Sequence, residues 1–373
     1  NCSVSSISVS ATGGGSYAWS GGSTPGTANN IFSSTGTYIV TVTGGSGCTN
    51  TASITITQNT TPPTVAITNN TGSTELNCSV SAISVSATGG GTYAWSGGSS
   101  TNTANNSFSS PATYTVTVTS ANGCTSTSSI TITQNISAPT AGITNGSGTT
   151  ILTCSTTSIS VTATGGGTYA WSGGSSTNTE NNSLSSAGTY TVTVTGANGC
   201  TSTSSITITQ DASVPTAGIT NNTGSTELNC SVSSINVTAT GGGTYAWSGG
   251  STPGTENNIF SSTGTYIVTV TGGSGCTSTA SIIITQDASV PTAGITNNTG
   301  STELNCSVSA ISVTAIGGGT YAWSGGSSTN TANNSLTSAG SYTVTVTGAN
   351  GCTSTSSITI TQNISAPTAG ITN

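Results

Sequence analysis

Thr37-Tyr-Ile-Val-Thr-Val-Thr43, with the turn Gly44-Gly-Ser-Gly47 and Cys48 behind it, decides the fold of this chain. Tyr38, Val40 and Val42 alternate with hydroxyl residues, so one face of the segment is apolar and the other polar. That period of two is the mark of a half-buried β-strand. After the turn Ala52, Ile54 and Ile56 repeat the alternation. Upstream, Ile7, Val9 and Ala11 share a face, and Tyr17 and Trp19 do the same beyond Gly13-Gly-Gly15. Short β-branched runs broken by Gly, Asn and Ser predict an all-β sandwich. Lys, Arg and Met are absent, so strong helix formers are scarce and almost no helix is expected.

The whole pattern returns every 76 residues without insertion or deletion, which makes the chain a tandem array. Cys2, Cys78, Cys154, Cys230 and Cys306 open five copies, and Cys48, Cys124, Cys200, Cys276 and Cys352 close them. Trp19, Trp95, Trp171, Trp247 and Trp323 keep the same period, as do Tyr38, Tyr114, Tyr190, Tyr266 and Tyr342. Pro63, Pro139, Pro215, Pro291 and Pro367 follow shortly after Gln58, Gln134, Gln210, Gln286 and Gln362, so the linkers are short and stiffened. Each linker leads into an extended segment such as Pro63-Thr-Val-Ala-Ile-Thr68, read as an opening strand. The units are then 1–58 with its opening strand missing, 59–134, 135–210, 211–286 and 287–362, and 363–373 is the opening strand of a next repeat. Both ends read as cut from something longer. Five such β-sandwich domains in line would form a semi-rigid rod of roughly 200 Å, at ~35 to 45 Å per unit.

A unit of this size has a small core, and many of its positions are Gly, Ser or Thr. A disulfide would compensate, and closing the loop from Cys2 to Cys48 removes unfolded-state entropy worth about 4 kcal/mol. One opening and one closing cysteine per unit predict Cys2–Cys48, Cys78–Cys124, Cys154–Cys200, Cys230–Cys276 and Cys306–Cys352. The alternative is a bridge over the linker, such as Cys48–Cys78. Either pairing requires an oxidising compartment, extracellular or periplasmic. Cys…Trp…Cys is also the spacing of immunoglobulin domains, but here the second cysteine heads the last strand, so the likeness is of architecture only.

Composition excludes several functions. The 373 residues include no Lys, Arg or His and seven acids, Glu75, Glu180, Asp211, Glu227, Glu256, Asp287 and Glu303. General acid-base catalysis lacks its usual groups, so no catalytic residue and no enzyme is expected. Nucleic acid and anionic membranes lack a cationic partner. No apolar run approaches bilayer length, so no membrane insertion is expected. No cysteine pair has CxxC spacing and no His is available, so neither a metal site nor a cofactor is expected.

Tyr93-Ala-Trp-Ser-Gly-Gly98, Thr113-Tyr-Thr-Val-Thr-Val-Thr119, Ala121-Asn-Gly-Cys124 and Ser129-Ile-Thr-Ile-Thr-Gln134 resemble the SprB-type repeats of Bacteroidota gliding adhesins, which are similar to the PKD and Ig-like superfamily. The resemblance covers about 45 residues of every unit. It implies a tandem array of Ig-like or PKD-like sandwiches in a filament exported by the type IX system and displayed at the cell surface. In that family an acidic residue often precedes Ala-Asn-Gly-Cys. Here Ser120, Gly196 and Gly348 stand at that place, which weakens any calcium role taken from the family. No C-terminal secretion signal is evident, as expected of an internal segment.

Several features invite a sharper reading beside a plainer one. The five Trp would make a ladder of sugar-stacking platforms, or, beside alternating Tyr, structural core; core is the expectation for the five Trp and five Tyr. Gly13-Gly-Gly15 and Gly89-Gly-Gly91 lack the helix and Lys of a phosphate cradle and read as tight turns. Asp211 with Glu227, and Asp287 with Glu303, would clip calcium between domains, but the pairs are missing at the other junctions. Sequons at Asn69, Asn105 and Asn221 are glycan acceptors or Asn-rich turns. Thr37, Thr41 and Thr43 make a neutral hydroxyl face suited to solvent, polysaccharide or a neighbouring copy of the same filament, with no Lys to guard the sheet edges. Two functions remain: the protease-resistant structural repeat region of a cell-surface adhesin, serving gliding or attachment, and a multivalent binding module for polysaccharide or another neutral surface.

Overall fold

The structure is a computed structural model that describes residues 1–370. It is all-β, with strands in repeated pairs of sheets and no helix among the described residues. The chain falls into two units. One comprises residues 1–148, 160–184 and 188–207, and the other residues 149–159, 185–187 and 208–373.

In the first unit, the opening repeat contributes β1 (Ile7–Ser10), β2 (Ser16–Trp19), β3 (Asn29–Phe32), β4 (Gly36–Thr43) and β5 (Thr49–Ile56). The next repeat contributes β6 (Ile67–Asn69), β7 (Glu75–Leu76), β8 (Ile83–Ala87), β9 (Thr92–Trp95), β10 (Asn105–Phe108), β11 (Ala112–Thr119) and β12 (Thr125–Gln134). One sheet has the order β6-β8-β10 and the other β7-β12-β11-β9. All pairs are antiparallel except β7 with β12, where Glu75 lies opposite Thr133 and Leu76 opposite Gln134. Three strands facing a sheet built on the fourth, sixth and seventh strands of the repeat form the sandwich of immunoglobulin-like domains, with the short second strand added in parallel beside the last.

Period two explains the core. Val116 and Val118 of β11, Ile83 and Val85 of β8 and Ile132 of β12 point between the sheets, around Trp95 and Phe108. Phe108 meets Trp95 edge to face at 5.6 Å and stacks on Tyr114 at 3.9 Å, arrangements that add to plain area burial. The hairpin from β8 to β9 turns on Gly89, Gly90 and Gly91, all with positive φ, and a Cβ on Gly91 would lie 2.2 Å from the Thr119 carbonyl oxygen. Only glycine fits, so these are turns built for backbone geometry.

The second unit repeats the design twice. Strands Gly218–Asn221, Ile235–Thr240 and Asn257–Phe260 form one sheet of the fourth repeat. Glu227–Leu228, Thr277–Gln286, Gly264–Thr271 and Thr244–Trp247 form the other, in that order. The fifth repeat has the same strand orders over Gly294–Gln362, around its own core of Ile311, Val313, Trp323 and Val344.

Two readings of strands are corrected. The segment Pro63–Thr68 pairs only from Ile67 onward, because two prolines without N–H groups precede it. The strand Asn29–Phe32 was not foreseen, since its buried Asn30 breaks the apolar alternation. Residues 363–370 form no strand, and the remainder of the expected opening strand, 371–373, lies outside the described residues.

Candidate functional site

The pairing of the cysteines differs from both expectations, and it defines the most distinctive site in the molecule. The bridges are Cys2–Cys124, Cys78–Cys200, Cys154–Cys276 and Cys230–Cys352, each with a sequence separation of 122 and Cα atoms 4.9 to 5.0 Å apart. The expected Cys2–Cys48, Cys78–Cys124, Cys154–Cys200, Cys230–Cys276 and Cys306–Cys352 do not form, nor does Cys48–Cys78. Cys48 and Cys306 are free and exposed. The opening cysteine of each of the first four repeats is joined to the closing cysteine of the following one.

The last strand explains why. Leu76 lies beside Gln134 at the end of β12, so Cys78 sits at that end of the sandwich, whereas Cys124 immediately precedes the start of β12. Ten residues at about 3.3 Å each separate the two ends by roughly 30 Å. A disulfide needs Cα atoms within about 7 Å, so pairing within a repeat is geometrically closed. The end that carries Cys78 is where the chain leaves for the next repeat, whose own closing turn is then within reach.

That turn is built for the junction. In Ala121-Asn-Gly-Cys124 the Asn122 side-chain amide donates to the carbonyl oxygens of Asn59 (3.5 Å) and Thr61 (3.0 Å) in the linker, while its Oδ1 accepts from the Cys124 backbone N–H. Asn198 grips Asn135 and Ser137 in the same way, and Asn350 grips Asp287 and Ser289. In the fourth repeat Ser274 takes over, its hydroxyl donating to the Ser213 carbonyl. Gly123 has φ +76°, and a Cβ there would fall 1.5 Å from the Ser3 hydroxyl of the preceding repeat. Gly199 and Gly351 meet Ser79 and Ser231 as closely. A backbone bond runs alongside each of the first three bridges, from the Cys2, Cys78 and Cys154 N–H to the Asn122, Asn198 and Ser274 carbonyls, at 3.1 Å. The bonded closing cysteines, Cys124, Cys200, Cys276 and Cys352, are buried to 1–2% exposure. Each bridge therefore seats in a packed, hydrogen-bonded socket.

The other candidate residues take structural places. Trp19, Trp95, Trp171, Trp247 and Trp323 are 5–8% exposed, and their indole N–H groups donate to Thr27, Thr103, Thr179, Thr255 and Thr331 carbonyls. They offer no face for sugar stacking. Tyr38, Tyr114, Tyr190, Tyr266 and Tyr342 are half-buried. Asn69 and Asn221 are engaged in turns, bonded to the Ser73 and Ser225 carbonyls. Asn105 accepts from the Ser86 hydroxyl. On the hydroxyl face Thr113 meets Thr131 at 3.0 Å and Thr37 meets Thr55 at 3.0 Å, so these side chains pair across strands.

Among the described residues no three Cys, Asp or Glu come together as a metal site. Asp211 and Asp287 instead cap the linker. Each accepts from the Ser two residues on, and the Ser213 and Ser289 hydroxyls, then their backbone N–H groups, hold the two carboxyls below the usual carboxylate range.

Asn30, Asn106, Asn182, Asn258 and Asn334 are buried polar residues that sequence reasoning missed. Asn106 donates to the Gly97 carbonyl at 2.7 Å and accepts from the Ser100 and Ser107 N–H groups, locking the loop between β9 and β10. A Cβ on Gly98 would lie 2.4 Å from its Oδ1. The recurring Gly-Gly and Asn-Asn pairs, always nine residues apart at Gly97 and Asn106, were the available signal.

No family model matches the chain, and no curated protein matches it. Among solved structures it is similar to the protocadherin GammaB4 extracellular domain, at 11% identity over 95% of this chain and 78% of that one, with a TM-score of 0.28. It is similar to the four N-terminal Ig domains of Dscam1 isoform 6.44, at 12% identity over 76% of this chain and 94% of that one, with a TM-score of 0.18. It is also similar to a 1.5-MDa bacterial ice-binding adhesin, at 16% identity over 82% of this chain and all of that one, with a TM-score of 0.22. The strand order itself defines the sandwich.

Proposed function

We propose that the chain is a structural repeat region, a stalk or filament segment of a large secreted cell-surface adhesin, in which five sandwiches (1–58, 59–134, 135–210, 211–286 and 287–362) act as spacer units. The observation that carries this reading is the staple from each of the first four repeats to its successor. A bridge within a domain would stabilise that domain alone. A bridge from one domain to the next, beside a linker already held by Asn122 or Asn198, resists bending and pulling at the place where a string of domains is weakest. Disulfides fit an oxidising, extracellular setting. The absence of Lys and Arg leaves trypsin-like proteases no cleavage site, which suits a durable spacer. Gliding motility, type IX export and a Bacteroidota source extend this reading through the repeat resemblance.

Small-angle scattering of the oxidised and fully reduced chain tests it. A long, persistent particle that becomes flexible on reduction, with its strand content unchanged, is the expected outcome. Equal flexibility in both states refutes a stalk. Multivalent binding of polysaccharide has less support, because the indoles are buried and the exposed Thr hydroxyls pair with one another.

A further inference from the structure

Three of the bridged junction turns carry an Asn-Gly pair, at Asn122-Gly123, Asn198-Gly199 and Asn350-Gly351, and the fourth carries Ser274-Gly275. Each half of the pair has a structural reason. Gly123, Gly199, Gly275 and Gly351 have φ of +75° to +77°, and a Cβ there would lie 1.5 to 2.8 Å from Ser3, Ser79, Ser155 or Ser231 of the preceding repeat. The Asn side chain in turn grips the linker. Together they make a dipeptide prone to lose its side-chain amide, because glycine has no Cβ to shield its nitrogen. The geometry of the junction therefore demands a chemically labile pair.

The closed junction keeps both reacting groups engaged. Amide loss requires the Gly123 nitrogen to give up its proton and close on Asn122 Cγ, yet that N–H donates to the Ser120 carbonyl at 2.8 Å. The Asn122 Oδ1 accepts from the Cys124 N–H at 3.1 Å, and Nδ2 donates to the Thr61 carbonyl at 3.0 Å and the Asn59 side-chain oxygen at 3.2 Å. At the other two pairs the Gly199 and Gly351 N–H groups donate to the Gly196 and Gly348 carbonyls, and Asn198 and Asn350 accept from Cys200 and Cys352. No His or Lys exists in the chain to take the proton. Each of these turns ends on a bridged cysteine, so the disulfide holds turn, grip and unreactive geometry together.

We propose that Asn122, Asn198 and Asn350 are gated self-modification sites, unreactive while the adjoining bridge is closed and converted to aspartate or isoaspartate once it is reduced. The Gly123 nitrogen gives up its proton and attacks Asn122 Cγ, forming a succinimide ring. The Cγ–Nδ2 bond breaks, and the nitrogen takes up that proton and leaves as ammonia. Water then opens the ring at either carbonyl, its hydroxyl completing a new carboxyl and its hydrogen returning to the Gly123 nitrogen. One water enters and one ammonia leaves, with no change of oxidation state. The product has no means of holding the linker. A carboxylate only accepts, and it would face the Thr61 carbonyl and the two oxygens of Asn59, which are acceptors as well. Opening of these three junctions is thereby made permanent. Ser274 has no side-chain carbonyl, so no ring forms there and its junction stays reversible. The inference goes beyond the stalk reading and rests on the geometry of the turns alone.

The test incubates the whole chain in mildly alkaline buffer with its bridges intact or reduced, and reads amide loss at each Asn by mass spectrometry of peptic fragments. Reduction should speed loss at Asn122, Asn198 and Asn350 by about tenfold or more, because reactivity then follows the open fraction of the junction. Asn145-Gly146 is the control, since its Gly146 N–H donates to the Ser160 carbonyl within one repeat. Its rate should not change. On re-oxidation the Cys154–Cys276 bridge should return in full, and the other three in proportion to the Asn that remains. Asn122→Asp should lower the recovery of Cys2–Cys124 alone, without any incubation. Equal rates with bridges open and closed, equal acceleration at Asn145, or full return of every bridge after amide loss would each overturn the inference.

Discussion

The first and second repeats are identical at 44 of 58 aligned positions, 1–58 against 77–134, yet their interiors differ. Ile83 is fully buried, and its equivalent Ile7 is 38% exposed. Val85 and Val118 are buried, whereas Val9 and Val42 are only half covered. The aromatic trio is unaffected: Trp19 to Phe32 is 5.4 Å and Phe32 to Tyr38 is 4.2 Å, against 5.6 and 3.9 Å in the second repeat. The final strand also shortens, from ten residues in β12 to eight in β5, where no parallel strand equivalent to β7 is present. The contrast shows which side of each sandwich its two opening strands, β6 and β7 in the second repeat, cover.

The largest test of this contrast lies at the cysteines. Cys124→Ser removes a bridge over a long loop and should cost about 5 kcal/mol in the chain-entropy reckoning, whereas Cys48→Ser should change stability by less than about 0.5 kcal/mol. Denaturant unfolding of the two variants distinguishes them, and equal losses would contradict the pairing. Next comes the core. Ile83→Ala should cost about 2 to 5 kcal/mol, and Ile7→Ala less than about 1 kcal/mol, read by hydrogen exchange in each repeat. A large effect at Ile7 would mean that its side of the sandwich is covered in solution.

Asn30→Ala and Asn106→Ala sharpen the comparison from the opposite direction. Both side chains are buried and lock the same loop, so both should lose about 1 to 3 kcal/mol despite the difference in their surroundings. The smallest effect is one of pH. The carboxyl of Asp287 is held below its ordinary value by Ser289, so the folded state binds its proton less readily than the unfolded state. Its contribution is present above the unfolded value of 3.8 and is lost as pH falls through the lower folded value. Thermal unfolding between pH 5 and 2 should fall slightly more for the native chain than for Asp287→Asn.

Much of the fold was legible because alternation reports burial directly. Tyr38, Val40 and Val42 identified β4, and the glycines at 89–91 marked a turn whose φ angles only they adopt. The junction was less legible. Asn122 stood out only as part of the Ala121-Asn-Gly-Cys124 motif, and nothing local to it announces a grip on Asn59 and Thr61 far back in the chain. Asn106 was hidden in the same way, as a polar residue in a strand whose partners are backbone groups of a separate loop.

By itself, the sequence determined the strand faces, the turns, the 76-residue period and the class of residue that must meet cysteine. An exact repeat is unchanged by a shift of one copy, so it carries no information about whether an opening cysteine meets its own copy's partner or the next one's. Only the tertiary structure decided that, because the parallel pairing of β7 with β12 places the two cysteines of one sandwich at opposite ends, roughly 30 Å apart.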